Sequence, residues 1–164
     1  MKYILETKRL LLREMEDNDF DALAKVLSTD DEEYVNKWLN WCKTSYQKDG
    51  FGHYAVVLKE TGEMIGSCGI SMQPINKIWR PEIGYHIRKD YHLQGLAKEA
   101  AIALRDYFFN NYKYDEVFSY MHGDNVASYK TADSMGMTYR FSYSDKEEKY
   151  RVYSITKEEW LTIQ

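Results

Sequence analysis

Two hydrophobic periods run along the chain, and the change from one to the other predicts the order of its strands and helices. Short apolar runs indicate strands, and apolar residues three or four positions apart indicate helices. The strongest helical stripe, formed by Leu96, Ala100, Leu104 and Phe108, predicts a helix from Gln94 to about Asn111. The predicted order is strand, two helices, three strands, helix, strand, helix, two strands and a short terminal helix, which is typical of a mixed α/β protein.

Local signals set the expected boundaries of these elements. Strands are predicted at residues 10–13, 53–58, 64–70, 82–87, 116–121, 138–143 and 150–155. Helices are expected after Asp17 or Asn18, after Asp30 and Asp31, after Asp124 and Asn125, and at Thr156, which has Glu159 in capping-box spacing.

Turns are predicted where glycine, proline and charged residues cluster. Residues 60–63, with Gly62, form a hairpin turn, and a charged turn covers residues 144–149. Pro74 and Pro81 are expected to bracket a loop that contains Trp79 and Arg80.

Composition and charge narrow the class of protein. At 164 residues and 44% hydrophobic content, we expect one domain over residues 1–164. The formal net charge of −4 and the dispersed basic residues argue against nucleic acid as a partner. No apolar run approaches the ~20 residues that cross a bilayer, so no membrane partner is expected. The two cysteines, Cys42 and Cys68, lack a CxxC spacing, which favours a reduced, cytoplasmic protein. A homodimer is left open.

The most informative segment runs from Glu82 to Ala100, where a strand leads through a glycine-containing turn directly into the strongest helix. Backbone N–H groups at a helix start can bind a phosphate, and Gly95 would let a diphosphate approach closely. The structural alternative is a glycine turn before a buried helix that binds no ligand.

Four motifs follow one another along the chain. They are Glu82-Ile83-Gly84-Tyr85, Gln94-Gly95-Leu96-Ala97-Lys98-Glu99-Ala100, Asn125-Val126-Ala127-Ser128 and Ser134-Met135-Gly136-Met137. In this combination the chain resembles the GNAT superfamily of acyl-CoA N-acyltransferases, and within it the branch that includes the ribosomal-protein N-terminal acetyltransferases. The resemblance extends from Thr7 to about Ile155. It implies a central, mixed and mostly antiparallel twisted sheet with helices on both sides.

The resemblance also implies acetyl-CoA as co-substrate and assigns residues to it. The strand backbone would bind the pantetheine arm, the turn and helix start would bind the diphosphate, and an N-x-x-S pattern would contact CoA near its thiol. The residues in these roles are Tyr85, His86 and Ile87; His92, Gln94, Gly95, Leu96, Ala97 and Lys98; and Asn125 and Ser128. His92 departs from the family pattern, which often has Gln or Arg there, and Asn125 could equally be a helix cap.

Glu82 is the predicted general base, because an amine nucleophile must lose a proton and a partly buried carboxylate with a raised pKa can accept it. The structural alternative is an ion pair with Arg80 or Arg88. His86 is a second candidate. On a regular strand it shares a face with Glu82, whereas a bulge near Gly84 would separate the two side chains.

Tyr129 is the candidate general acid. Many members of the resembled family carry a tyrosine three residues later, where this chain has Ala132. A residue almost one helical turn earlier can still reach the same face.

These features predict an acetyl-CoA-dependent N-acetyltransferase in which a primary amine attacks acetyl-CoA directly in a ternary complex. No Cys–His or Ser–His–acid order stands out, and the four histidines form no metal-like cluster. The acceptor is a protein or peptide N-terminus or a small amine, and Trp38, Trp41 and Trp79 are expected to shape its side. Two alternatives stay open: a non-catalytic acyl-CoA-binding or regulatory module, and a protein that binds another nucleotide at the helix start.

Overall fold

The computed structural model describes residues 2–164, which contain eight strands and five α-helices. The strands are β1 Tyr3–Glu6, β2 Leu10–Arg13, β3 His53–Leu58, β4 Met64–Ile75, β5 Ile78–Ile87, β6 Glu116–His122, β7 Thr138–Asp145 and β8 Glu148–Thr156. The helices are α1 Phe20–Val26, α2 Glu32–Lys48, α3 Leu96–Asn111, α4 Val126–Ser134 and α5 Lys157–Thr162. Two 3₁₀ turns lie at Asp17–Asp19 and Lys89–Tyr91.

The strands form one mixed sheet in the order β1-β2-β3-β4-β5-β6-β8-β7. The pairings of β1 with β2, β2 with β3, β3 with β4, β6 with β8 and β7 with β8 are antiparallel. The pairing of β5 with β6 is parallel and places Glu82 opposite Phe118. Parallel neighbours need a crossover connection, which α3 provides between these two strands. The predicted mixed, mostly antiparallel α/β class is confirmed.

Contacts between Cα atoms divide the chain into two compact units. The first comprises Met1–Ser71 and Gly84–Leu104, and the second comprises Met72–Ile83 and Arg105–Gln164. The first has a core formed by Met15, Leu23, Val26, Val35, Leu39, Cys42, Ala55 and Met64. The second contains a cluster of Ile75, Phe118 and Val152, against which Tyr120, Phe141 and Tyr143 pack.

A buried ion pair determines where α1 begins. Arg13 Nη1 lies 2.7 Å from Asp19 Oδ2, and Asp19 also accepts the backbone N–H of Glu16. The chain therefore makes a 3₁₀ turn first, and the α-helix starts at Phe20. The expected cap at Asp17 or Asn18 was wrong because the nearby Asp19 carboxylate is held by Arg13.

The loop expected between Pro74 and Pro81 is instead a hairpin, since both prolines lie within strands. Only Asn76 and Lys77 form the turn, and their φ angles of 50° and 69° match the hairpin turns that suit strand twist. Proline is tolerated here because neither Pro74 nor Pro81 falls at a paired position of the β3–β4 or β5–β6 ladder. The pairing of β3 with β4 ends at Gly69, and the pairing of β5 with β6 is at Glu82.

Strand β1 was missed, and the charged turn near the end of the chain is shorter than expected. The four β1 residues are only half-buried or exposed, so they lack a clear apolar alternation. In the last hairpin only Lys146 and Glu147 lie outside the strands. The capping box of Thr156 and Glu159 and the positive φ of Gly62 are confirmed.

A close approach of β3 to β4 gives a stability prediction. A Cβ atom added to Gly69 would lie 2.2 Å from the Cα of His53 and 2.3 Å from the carbonyl oxygen of Gly52. Backbone atoms would have to separate, so we expect Gly69→Ala to lower the melting temperature by roughly 5 °C or more in a thermal scan. Gly123→Ala is the control, because its nearest atom would be 3.5 Å away. Equal losses in both variants would contradict the proposed crowding.

Candidate active site

The turn before α3 leaves backbone N–H groups free of intrahelical partners. Leu93 and Gly95 have φ angles of 63° and 76°, and the helix begins at Leu96. The Glu99 N–H donates to the Gly95 carbonyl oxygen at 3.0 Å. Since a helix supplies no carbonyl to its first donors, the N–H groups of residues 96–98 lie at its open, partly positive end.

The connection between β1 and β2 holds this turn in place. The Glu99 carboxylate accepts hydrogen bonds from the Thr7 hydroxyl at 2.6 Å and from the backbone N–H and Nε of Arg9 at 2.9 and 2.7 Å. Arg9 Nη1 also donates to the Gln94 carbonyl oxygen at 3.0 Å. Partial burial would raise the pKa of Glu99, but these hydrogen bonds outweigh it and lower the pKa. Glu99 is thus a charged anchor beneath the predicted phosphate site.

The predicted diphosphate residues differ in which atoms they can offer. His92, Gln94, Gly95 and Lys98 are exposed, and a Cβ atom at Gly95 would meet only Arg9 Nη2, at 3.7 Å. The Leu96 side chain is only 2% exposed, so this residue can contribute only its backbone. His92 Nε2 donates to the Ile87 carbonyl oxygen at 2.6 Å, which fixes the ring against the end of β5.

Four aromatic side chains form a cluster in the first unit. Trp38 meets the rings of Trp41, His53 and His86 edge-on, at centroid distances of 5.2, 5.3 and 5.7 Å. Burial, and secondarily the nearby His86, lowers the pKa of His53 to about 3, and desolvation also lowers the pKa of the more exposed His86. Both imidazoles are therefore neutral at neutral pH. Sequence patterns did not single out His53, because it is a lone histidine in an apolar strand.

Glu82 lies on β5, opposite Phe118, and is only 9% exposed. Burial raises the pKa of Glu82 to about 8, because desolvation disfavours the charged carboxylate. The backbone N–H of Tyr120, at 3.4 Å, opposes this rise but does not cancel it. The carboxyl group therefore titrates near neutral pH, as a general base should.

The ion pair that was the structural alternative for Glu82 does not form. The Arg80 guanidinium lies 4.8 Å above the Phe118 ring instead. Arg88 pairs with Asp90 and Glu63 at 2.7 and 3.3 Å. Nothing in these contacts neutralises the Glu82 carboxylate, which is consistent with its raised pKa.

Tyr120 and Tyr143 lie near Glu82 in the second unit, and the Tyr150 ring packs against both of them. Tyr150 stacks on Tyr143 at 5.4 Å and lies 5.8 Å from Tyr120. Burial and the neighbouring Glu82 raise the pKa of Tyr120 to about 12, and burial also raises the pKa of Tyr143. Both phenols therefore keep their protons at neutral pH and add no charge near the carboxyl group.

Tyr129 lies on α4 with its hydroxyl oxygen buried. Its ring stacks on Tyr153 at 6.0 Å, and the Arg151 guanidinium lies 4.5 Å from its centroid. Among residues 2–164, the hydroxyl group has no hydrogen-bond partner. A buried polar atom without a partner is uncommon in native structures, and it makes this phenol a candidate proton donor to a ligand.

Asn125 is the N-cap of α4, since its Oδ1 accepts the Ser128 backbone N–H at 3.3 Å. The capping alternative is thus confirmed. Contact of Asn125 and Ser128 with CoA stays a prediction, and it is compatible with the cap because an amide has further hydrogen-bonding atoms.

Neither a cluster of metal-binding residues nor a membrane-spanning helix is found in the part of the chain that the structure describes. No three His, Cys, Asp or Glu residues there are grouped as ligands for a metal ion. No helix in residues 2–164 has the length and apolar character for crossing a membrane.

The fold and these residues define a class of protein. A mixed sheet, a buried carboxyl group on β5 and a glycine turn opening the crossover helix agree with what the resemblance to acyl-CoA-dependent acyltransferases implies. Residues 9–138 match the family model described as an acetyltransferase (GNAT) domain. The chain therefore belongs to the GNAT acetyltransferase family and is an acyltransferase, as the sequence motifs implied.

Relatives and solved structures agree with this assignment. The uncharacterized protein YkkB of Bacillus subtilis (strain 168) is 33% identical over 146 residues, covering 82% of this chain and 85% of its own length. The uncharacterized N-acetyltransferase p20 of Bacillus licheniformis is 30% identical over 146 residues, covering 80% of each chain. An acetyltransferase from Agrobacterium tumefaciens has 26% identity and a TM-score of 0.80 over 94% of each chain.

The ribosomal-protein branch appears among the structural neighbours. RimL, an alpha-N-protein acetyltransferase of a ribosomal protein in complex with coenzyme A, has a TM-score of 0.78 with 18% identity. The match covers 94% of this chain and 98% of the RimL chain. At this identity the likeness shows a shared fold, and the family match supports acetyl-CoA as the co-substrate.

The raised pKa of Glu82 predicts how stability depends on pH. Between its ordinary value of 4.5 and its native value of about 8, the native state holds a proton that the unfolded chain has lost. Stability should therefore fall as pH rises through this window. The lowered pKa of His53 affects stability only below its ordinary value of 6.5. Thermal scans between pH 6.5 and about pH 8.5 therefore separate the effect of Glu82 from that of His53.

We expect Glu82→Gln to flatten this loss of melting temperature between the two pH values, because a neutral side chain has no proton to exchange. The exposed Glu60→Gln is the control, because it makes the same chemical change at a carboxyl group that is not buried. If the parent and Glu82→Gln lose the same melting temperature, the native pKa of Glu82 is not raised.

Proposed function

We propose that this protein transfers the acetyl group of acetyl-CoA to a primary amine, by direct attack in a ternary complex with Glu82 as general base. The observation that carries the proposal is the buried Glu82 carboxyl, with a pKa of about 8. Most amine nucleophiles are protonated at neutral pH, so a carboxylate that accepts protons in this range suits the reaction.

On the donor side, the first unit supplies backbone groups. The N–H groups at the start of α3 suit a diphosphate, because they are unpaired within the helix and the helix dipole favours negative charge. Gly95 leaves room for this approach. We assign the pantetheine arm to the β5 backbone at Tyr85, His86 and Ile87, and the side chains of His92, Gln94 and Lys98 to the rim of the diphosphate site.

Glu82 and Tyr129 both lie in the second unit, where Glu82 accepts a proton and Tyr129 donates one. The amine nitrogen attacks the thioester carbonyl carbon, a C–N bond forms, the C–S bond breaks, and the nitrogen loses a proton to Glu82 directly or through water. The departing thiolate takes a proton from Tyr129, whose buried hydroxyl has no partner among residues 2–164. The products are the N-acetyl amide and CoA with a free thiol. Glu82 then gives up its proton and the Tyr129 phenolate regains one by exchange with water, so atoms and charges balance over the cycle.

The acceptor belongs to one of two groups of amines. RimL, by its name, acts on the α-amino group of a ribosomal protein, and it shares the fold of this chain. A small amine is equally compatible with the tyrosines near Glu82. Both groups place one primary amine beside the same base.

The first test follows the release of free CoA from acetyl-CoA across a panel of peptides and small amines. We expect kcat/KM of the best acceptor to rise with pH through about 8, because Glu82 must be deprotonated to act. Glu82→Gln should lower kcat by roughly 10²- to 10⁴-fold and remove the inflection near pH 8, leaving only the rise that comes from deprotonation of the acceptor amine, while the Kd of acetyl-CoA stays unchanged. Unaltered kinetics in Glu82→Gln would exclude the base role, and binding of acetyl-CoA without turnover of any amine would favour a binding module.

The second test concerns the leaving group. Tyr129→Phe should lower kcat by roughly 10-fold or more without weakening acetyl-CoA binding, because it removes only the proton donor. Tyr139→Phe is a matched control, since its ring also lies near Arg151 but its hydroxyl is bonded to Ser142. An acetyl thioester donor whose thiol is a better leaving group than that of CoA should restore the Tyr129→Phe rate. Equal effects of the two variants would show that Tyr129 donates no proton.

A further inference from the structure

Arg80 lies on β5, two residues before Glu82, in the second unit. Side chains two positions apart on a strand point to the same face of the sheet. Phe118 lies opposite Glu82 on β6, and the Arg80 guanidinium lies 4.8 Å above its ring. A cation and a carboxyl group thus occupy one face without forming an ion pair.

In the part of the chain that the structure describes, the Arg80 guanidinium packs against aromatic rings and not against a carboxylate. Its guanidinium carbon lies 4.8 Å from the Phe118 ring centre and 5.8 Å from that of Phe141. Its Nε is buried and has no hydrogen-bond partner among residues 2–164. By contrast, Arg140 of the same unit binds Glu159 and Ser154.

Aromatic contacts restrict how a partner could reach this guanidinium. A ring stacked on the face of a guanidinium does not block the N–H groups, which lie in the guanidinium plane. Two of these N–H groups match the two oxygens of a carboxylate. A single positive charge balances one carboxylate. A phosphate dianion would leave excess negative charge beside Glu82. Burial already disfavours the negative form of this carboxyl group.

We propose that Arg80 binds a carboxylate of the acceptor, so that the acceptor is a primary amine carrying a carboxylate near the reacting nitrogen. This inference rests on the proposed function, because it assigns the amine of the same molecule to Glu82. Two residues along a strand span about 7 Å, which is the scale of an amino acid or of an acidic residue at a peptide N-terminus. Both sources present the same amine and carboxylate.

The test compares acceptors that differ only in this charge. The first set consists of free amino acids, each paired with its carboxamide. The distance between the amine and the carboxylate increases from one pair to the next. The other is a short peptide that begins with Asp and the same peptide that begins with Asn. We expect the parent to prefer the carboxylate by ~10-fold or more in kcat/KM, because an amide cannot pair with the charged guanidinium. The pair with the larger preference identifies the source.

Arg80→Gln should abolish this preference by slowing the carboxylate acceptor, while the carboxamide rate stays within about 3-fold of the parent. Arg80→Lys keeps the charge without the planar fork and should retain part of the preference. Arg140→Gln removes a positive charge from the same unit and should leave the preference intact. Melting temperatures of all variants establish that each is folded.

Binding separates this inference from the proposed function. The melting temperature is measured with acetyl-CoA present, with and without the amino carboxylate. We expect the amino carboxylate to raise the melting temperature of the parent more than that of Arg80→Gln, even if no acetyl transfer occurs. Loss of turnover with this difference intact contradicts the proposed function alone. Turnover without any carboxylate preference, a preference that survives Arg80→Gln, or weaker acetyl-CoA binding in Arg80→Gln would each overturn the role of Arg80.

Discussion

The parallel pairing of β5 with β6 is the constraint on which both parts of the chemistry depend. Parallel strands cannot be joined by a tight turn, so the chain must leave β5, form a helix and return. The helix start therefore follows the strand end closely, and its open N–H groups become available after a short glycine turn. The same pairing places Glu82 against Phe118, where water is excluded.

Each compact unit, taken by itself, has a different kind of electrostatics. In the first, backbone dipoles at the start of α3 are held by the Glu99 carboxylate, which binds Thr7 and Arg9. These groups bear partial charges that need no proton transfer. In the second, a buried carboxyl group exchanges a proton near neutral pH because burial penalises its charge. A fixed dipole suits a permanently charged diphosphate, and a titrating group suits an amine that must lose a proton.

Unsatisfied polar atoms distinguish the second unit from an ordinary core. The Tyr129 hydroxyl and the Arg80 Nε are both buried without hydrogen-bond partners among residues 2–164. Such atoms cost stability, so native proteins keep few of them, and they concentrate where a ligand completes the hydrogen bonding. The neutral imidazoles of His53 and His86, by contrast, are explained by packing against Trp38.

Local patterns in the sequence determined most of the helices and strands, together with the family. The stripe of α3, the Gly62 turn, the capping box of α5 and the glycine before Leu96 are properties of neighbouring residues, and all were predictable. Tertiary structure decided the rest. Strand β1 exists because β2 lies beside it, and Pro74 is tolerated because the ladder with β3 has ended. The pKa of Glu82 and the unpaired state of Arg80 depend on Phe118 and Tyr120, more than 30 residues away. Desolvation is a property of the surrounding space, so no local pattern encodes it.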